Sequence, residues 1–434
     1  MDETYIQPKK KNILRMKNSL QITPPDTRSV FGTIKLPASK SISNRVLIIK
    51  ALSEKGFEIN NLSEADDTKI LIRELKNEGI TPDINAGHAG TAMRFLTSYL
   101  AIRPGTHYPT GSERMKQRPI APLVGALQQL GADISYDGQP GFPPLKIKGK
   151  KLKGGKISVE AGISSQFISS LLLIAPLLEE GLHLEFKGVP VSTSYIKMTL
   201  GIMAHFGIEA TLHPECVIVK PGQYQSRDIF IEPDWSGVSY FYELLLLSEQ
   251  GKLFFPGLTE KSLQGDAILW KWFKDLGINT QFEQAGAYAE KVGNYPQMVS
   301  YDFKENPDLA QTFAMAFAGL GIEGSFRGLE TLPLKETDRI KALQIELEKL
   351  GYSMAMQSDG LWHLKKQKKP DSRASLEFET YNDHRMAMAC APLALKQGQL
   401  IIHDPEVVSK SFPDYWENLK SLGFTLLYRL PRNS

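Results

Sequence analysis

Leu347-Glu348-Lys349-Leu350-Gly351-Tyr352 (347–352) ends an amphipathic helix and starts an extended segment, with one glycine between them. Glycine suits the position just past a helix, where the backbone turns to positive φ. The same junction recurs at Glu78-Gly79-Ile80, Leu130-Gly131-Ala132, Phe206-Gly207-Ile208, Leu276-Gly277-Ile278 and Leu422-Gly423-Phe424. The first two lie about 50 residues apart and the others about 70 to 76, too long a period for a short solenoid repeat. Earlier in each unit runs a second, more apolar helix, over 41–53, 90–102, 164–178, 236–248, 308–320 and 383–396. Each unit therefore reads strand, helix, strand, helix and then short strands, with turn signals such as Asp137-Gly138 and Asp359-Gly360. A long α/β chain with coincidental helix endings is the competing reading, and six regular recurrences weigh against it.

Six units divide into two groups of three. Turn formers interrupt the pattern near Pro37-Ala38-Ser39 and near Glu232-Pro233-Asp234. One domain is then continuous over 39–233. The other combines 1–38 with 234–434, residues 1–12 being a solvated tail. Two chain crossings imply a hinge with a cleft between the domains.

Composition agrees with a two-domain globular chain: 434 residues, 42% apolar and 23% charged. A formal charge of +3 excludes a general polyanion-coating surface, so any basic function must sit in local clusters. Two cysteines, Cys216 and Cys390, make neither a disulfide framework nor a zinc site, which points to the reducing cytoplasm. The opening 1–20 has lysines but no apolar core behind them, so it does not read as a secretory signal. The longest apolar stretch, Leu171 to Leu178, is broken by Pro176 and is too short to span a bilayer.

The informative polar residues stand at helix starts. Ser39-Lys40-Ser41-Ile42-Ser43-Asn44-Arg45 combines a capping serine, free backbone N–H groups and two cations, which suits a phosphate. An ordinary capped surface helix would look the same. Gly90-Thr91-Ala92-Met93-Arg94 lets a ligand approach the backbone, although a helix-packing glycine is an equal explanation. Ser112-Glu113-Arg114-Met115-Lys116-Gln117-Arg118 puts three cations on a loop, and nothing local separates Arg118 from Arg114. Ser164-Ser165-Gln166 and Ser192-Thr193-Ser194-Tyr195 offer neutral donors for hydroxyls or phosphate oxygens, or simply caps.

In the second half, Pro307-Asp308-Leu309 opens a helix with one acid, a cap or a general base. Leu334-Lys335-Glu336-Thr337-Asp338-Arg339 is expected to open another, with Lys335 and Arg339 on one helix face. Cations at a helix start oppose the macrodipole, and that placement asks for an anionic ligand. Asn382-Asp383-His384-Arg385 leads into a buried helix, and Lys410 lies in Ser409-Lys410-Ser411. None of eight histidines has metal-ligand spacing, and there is no phosphate-binding glycine loop of the nucleotide-binding kinds. The chemistry is expected to be free of metal, cofactor and nucleoside triphosphate.

Taken in order, Ser39–Arg45, Ala89–Arg94, Arg114–Ile120, Ser164–Phe167, Pro307-Asp308, Lys335–Arg339, Asn382–Met388 and Ser409–Pro413 resemble the enolpyruvyl transferases, from about Val30 to the C-terminus. The resemblance implies an α/β fold of two domains, each of three βαβαββ units closed as an inside-out α/β barrel. It implies transfer of the enolpyruvyl group of phosphoenolpyruvate to the 5-hydroxyl of shikimate 3-phosphate, on the route to chorismate and aromatic amino acids. By matching positions, Lys40, Ser41, Arg45, Ser164, Ser165, Gln166, Ser192, Tyr195, Asp308 and Lys335 would contact shikimate 3-phosphate. Lys40, Gly90, Arg118, Gln166, Arg339, Arg385 and Lys410 would hold phosphoenolpyruvate. The domain over 39–233 would be the shikimate 3-phosphate half, and the other the phosphoenolpyruvate and catalytic half.

Asp308 is then the general base, Glu336 the proton donor to the methylene, Lys40 a donor to the departing phosphate, and His384 a group orienting Glu336 or Lys40. The partners are these two small molecules, with no nucleic acid and no membrane, and the family expectation is a monomer. Two positions depart from the family pattern: His88 stands where Asn is common, and Thr331 where an Asn contacting shikimate 3-phosphate is usual. The sister activity on UDP-N-acetylglucosamine usually carries a cysteine in the loop 112–119, and neither cysteine is there. A catalytically dead anion-binding protein is disfavoured by retention of both Asp308 and Glu336.

Overall fold

The computed structural model describes residues 18–77, 81–160, 162, 164–368 and 376–429. The tail expected over 1–12 and the junction Glu78-Gly79-Ile80 lie outside the described residues. The other five junction glycines all adopt positive φ, at +93° for Gly131, +80° for Gly207, +84° for Gly277, +77° for Gly351 and +88° for Gly423. At the first of these, the Ala132 N–H reaches back to the Leu127 carbonyl at 2.9 Å and the Gly131 N–H to Gln128 at 2.9 Å. Those two bonds close the helix end by satisfying carbonyls that have no further turn to receive.

Among the described residues there are five four-stranded sheets and one two-stranded sheet. The four-stranded sheets share one plan: one parallel pair, then two antiparallel neighbours. In the sheet 298–366, Met298–Asp302 pairs in parallel with Glu323–Arg327, which is followed by Trp362–Lys366 and Tyr352–Met356. This is the βαβαββ unit read from the sequence. The two-stranded sheet, Ile59–Asn60 beside Ile229–Phe230, belongs to the first and shortest unit.

Besides that pairing of Ile59–Asn60 with Ile229–Phe230, two more units are closed by strands from distant parts of the chain. Ser19–Thr23 inserts between Leu400–His403 and Thr425–Arg429, completing the last unit from the chain's beginning. Val30–Thr33 then pairs in parallel with Gly251–Pro256 and supplies the first strand of the fourth. Between the two halves of the molecule the chain passes twice, and the two passages lie side by side. The Ser39 N–H donates to the Glu232 carbonyl and the Asp234 N–H to the Pro37 carbonyl, each at 2.9 Å.

The apolar helices form the interior. Trp235–Leu247 buries every residue except Ser236. A helix apolar all round must be enclosed on every side, and in each half three largely buried helices pack together. Lys40–Leu52, Gly90–Ala101 and Ser165–Ile174 make one group; Trp235–Leu247, Ala310–Leu320 and His384–Cys390 make the other. The sheets cover them outside. One hydrophobic core runs from Ala38 to Ile231, and a second takes residues from Leu20 to Ile34 and from Trp235 to Phe424. Two helices are shorter than their patterns predict. Ser165–Ile174 and His384–Cys390 each give way to 3₁₀ turns containing Pro176 and Pro392, because proline has no N–H for the α-helical bond. No helix of the described residues is long and apolar enough to cross a membrane.

Candidate active site

Helix starts from both halves meet at a cleft of about 680 Å³ that is open to solvent. One wall carries Lys40, Ser41 and Arg45, then Gly90 and Thr91, Arg118, Ser164 to Gln166 and Tyr195; the other carries Asp308, Lys335, Glu336, Arg339, His384 and Arg385. Asp67 completes the lining. Six Lys and Arg side chains face three carboxylates there, leaving an excess of positive charge suited to phosphorylated or carboxylated ligands. The N-terminal ends of the inner helices add their partial positive charge and N–H donors to the same space.

Arg339 is the centre of the second wall. It is 1% exposed, and each guanidinium nitrogen meets a different acid: Nε to Asp383 at 2.7 Å, Nη1 to Asp308 at 2.9 Å, Nη2 to Glu336 at 2.8 Å. Burial alone would lower its pKa, but the three acids, Asp383 first, raise it. Asp308 also takes Arg385 Nη2 at 2.9 Å, Lys335 Nζ at 3.5 Å and the Tyr195 hydroxyl at 2.9 Å. Burial pushes the Asp308 carboxyl up; Arg385, Lys335 and Arg339 outweigh it and hold the group well below the usual carboxylate range. Glu336 follows the same logic, with burial opposed by Arg339, Arg118 and Lys40. The acids serve as counterions to the cations.

The remaining cations are also held in place. Arg45 is buried, donating to the Thr199 hydroxyl and the Ser41 carbonyl at 2.7 Å each and to Ser169 at 3.1 Å; burial lowers its pKa to about 10. Arg118 lies across Gly90 so closely that a Cβ there would come within 2.8 Å of Nη2. That packing separates Arg118 from Arg114, which is exposed and donates to the Glu336 carbonyl at 3.3 Å. His384 is 2% exposed with neither ring nitrogen hydrogen-bonded, and burial together with Lys40 and Arg385 holds it well below its ordinary pKa. It is therefore neutral near pH 7.

Some expected residues stand apart from this lining. Lys410 occupies a smaller adjoining space with His88 and Asn382, sharing Arg118 and Glu336 as a common wall. Its ammonium donates to the Asn382 carbonyl at 2.6 Å and to Oδ1 at 2.8 Å, an arrangement made by left-handed Tyr381 and Asn382. Ser192 is buried beside the cleft in left-handed conformation and does not line it. Thr331 also lies outside the lining, its buried hydroxyl without a hydrogen-bond partner, and His88 Nε2 lies 3.7 Å from Asp67.

The helix expected to open at Lys335 begins instead at Arg339. Pro333 sets a 3₁₀ turn over Leu332–Leu334, and Asp338 accepts the Lys341 N–H at 3.2 Å as the cap. Lys335 and Glu336 thus reach the cleft from an irregular segment, not from a helix face. Ser39 likewise makes no side-chain cap bond, whereas Ser164 caps through the Gln166 N–H at 3.3 Å.

A family model described as EPSP synthase (3-phosphoshikimate 1-carboxyvinyltransferase) matches residues 25–85 and 80–419. The 3-phosphoshikimate 1-carboxyvinyltransferase of Bacteroides fragilis strain YCH46 is 45% identical over 398 residues, covering 91% of this chain and 96% of its own. The chain belongs to the EPSP synthase family. The family's enzyme from Sulfurovum sp. strain NBC37-1 is 35% identical over 94% of this chain and 99% of its own. Among solved structures, an EPSP synthase from Acinetobacter baumannii superposes with a TM-score of 0.75 at 21% identity, over 95% of this chain and 100% of that one. The enolpyruvyl transferase NikO from Streptomyces tendae superposes with a TM-score of 0.72 at 14% identity, over 95% of this chain and 99% of that one. These superpositions show that the EPSP synthase fold is the fold of this chain.

Two acids in this family member escaped the sequence reading. Asp67 sits 3.3 Å from Lys40 Nζ in the cleft, but Asp66-Asp67 at a helix start looks like ordinary dipole compensation. Glu305 had no local signal at all: it is one acid in the loop before Pro307, and its partners are more than a hundred residues away.

Proposed function

We propose that the cleft binds phosphoenolpyruvate and shikimate 3-phosphate together and transfers the enolpyruvyl group to the 5-hydroxyl, releasing phosphate. The family supports the reaction, and the observation that carries the site assignment is the pairing of the cations with Asp308 and Glu336 in the cleft. Incoming phosphates and the carboxylate compete for those same guanidinium and ammonium groups. As the cations turn to the substrates, both acids lose their counterions in a closed site, and their proton affinity rises.

Asp308 then removes the proton of the 5-hydroxyl as its oxygen bonds to C2 of phosphoenolpyruvate. Glu336, protonated in the loaded site, gives its proton to the methylene carbon, and a tetrahedral intermediate results. In the second step Glu336 takes a proton back from the new methyl group, the C2–O bond to phosphate breaks, and Lys40 protonates the departing phosphate. Neutral His384, in the same lining, orients Glu336 or Lys40. Arg118, Arg339, Arg385 and Lys410 hold the phosphoenolpyruvate charges through both steps. Ser164, Ser165, Gln166, Ser41, Arg45, Tyr195 and Lys335 seat shikimate 3-phosphate, with Ser192 acting through the backbone beside Tyr195. On this reading the half over 39–233 is the shikimate 3-phosphate half, and 1–38 with 234–434 the catalytic one. We place the enzyme in the cytoplasm on its two free, buried cysteines, and as a monomer because one chain supplies both walls.

Phosphate release measured with each substrate alone and with both tests the reading. Release must require both. Release with UDP-N-acetylglucosamine in place of shikimate 3-phosphate would sink it.

A further inference from the structure

Glu305 lies on the loop joining the strand Met298–Asp302 to the turn Pro307–Leu309, and the reaction above makes no use of it. Facing it across the cleft, the helix Thr193–His205 begins without a side-chain cap of its own. The first turn of such a helix leaves N–H donors unsatisfied and carries a partial positive charge. Glu305 supplies the missing acceptor from the opposite half. Its Oε2 accepts the Thr193 hydroxyl at 2.6 Å and the Ser194 N–H at 2.9 Å, and its carbonyl accepts the Ser194 hydroxyl at 2.6 Å. Beside these bonds the Ser192 N–H donates to the Lys304 carbonyl at 3.0 Å. Three residues further along the loop, Asp308 accepts the Tyr195 hydroxyl.

We propose that Glu305 is a positioning residue: its carboxylate caps, from the opposite half, the helix that carries Tyr195, and so holds the two walls in their reactive register. The inference rests on the enolpyruvyl-transfer reading of the cleft. Each bond joins a residue of 39–233 to one of 234–434, so the bonds exist only while the halves are together. The halves are also joined by the two backbone passages and, elsewhere along the cleft, by bonds such as Ser409 to Asp66 at 2.6 Å and Arg114 to the Glu336 carbonyl at 3.3 Å; the Glu305 bonds fix the part of the cleft that carries Tyr195. The contact of Tyr195 with Asp308 lies inside the cleft and is open to exchange with a substrate. The Glu305 contacts lie outside the lining, so a substrate filling the cleft does not compete for them.

Kinetics and melting of the full chain test this with Glu305→Ala and Glu305→Gln. The Ala variant should raise KM for both substrates about tenfold while kcat stays within about twofold, because saturating substrates restore the closed register. The Gln variant should recover most of the KM loss, since its amide oxygen accepts the same two bonds. Unchanged KM in the Ala variant overturns the proposal, as does a loss of kcat at unchanged KM. A fall in melting temperature in both variants without Gln rescue also overturns it, making Glu305 a fold contact only. Small-angle scattering reads the register without the reaction: at a concentration of shikimate 3-phosphate that half-saturates wild type, with no phosphoenolpyruvate, the Ala variant should have the larger radius of gyration, and equal radii refute the latch. A wild-type chain that releases no phosphate from the substrate pair would refute the reaction instead.

Discussion

Replacing Asp308 by Asn removes one charge and almost no volume, so its effects report on electrostatics and proton transfer. The carboxylate accepts from Arg339 and Arg385 at 2.9 Å each and from Tyr195 at 2.9 Å, with Lys335 at 3.5 Å. An amide turns one of those acceptor oxygens into an NH₂ group facing cations. Breaking a buried ion pair on one side costs about 3–5 kcal/mol. Here the cost is lower, about 1–3 kcal/mol by the same reasoning, because Asp308 is 14% exposed and Arg339 retains Asp383 and Glu336. The catalytic cost is larger: loss of a general base lowers kcat by about 10²- to 10⁴-fold.

The stability difference has a defined pH dependence. The Asp308 value in the folded chain is depressed below its unfolded value of about 3.9. Its ion pairs therefore contribute fully above about pH 4, and the contribution fades as pH falls through the depressed folded value. Phosphate-release kinetics at pH 7, with denaturant unfolding from neutral pH down to about pH 3, test both parts. A kcat within about tenfold of wild type refutes Asp308 as the base. A stability gap that does not narrow in acid refutes the ion-pair account.

Gly90→Ala should press its new methyl against the Arg118 guanidinium, displacing it and raising KM for phosphoenolpyruvate more than that for shikimate 3-phosphate; equal changes in the two would contradict the packing seen here. Arg339→Lys loses the fork that meets three acids at once, so activity should fall at least about 100-fold, with stability lower by about 3 kcal/mol; unfolding curves and initial rates check this. Glu243 is wholly buried with neither carboxylate oxygen hydrogen-bonded, and burial raises its pKa well above the usual value. The unfolded chain ionises Glu243 above about pH 4.3 while the folded chain does not, so wild type loses stability as pH rises beyond that point. Glu243→Gln lacks this loss, and its melting temperature relative to wild type should climb between pH 5 and 8; a flat difference would show that Glu243 is charged and paired.

Much of the architecture was legible along the chain because it repeats. Glycine past a helix end, apolar helices and turn pairs are local signals, and each recurs in register. Prolines 176 and 392 shortened two helices in ways that local rules also explain. Lys335 and Arg339 have helical spacing, but Pro333 and the cap Asp338 override it, so the segment 335–338 is irregular and the helix begins at Arg339.

The sequence by itself determined the six-fold repeat, the two groups of three, the excess of cations at helix starts and the family those motifs match. It could not determine pairing between distant residues. That Ser19–Thr23 completes the last sheet, that Arg118 and not Arg114 lies over Gly90, and that Glu305 caps a helix from the other half depend on contacts across the folded chain. Local pattern is set by neighbours three or four residues apart. The proton affinities of Asp308 and Glu336 are set by whichever charges the fold brings within a few ångströms, and only the tertiary structure decides which those are.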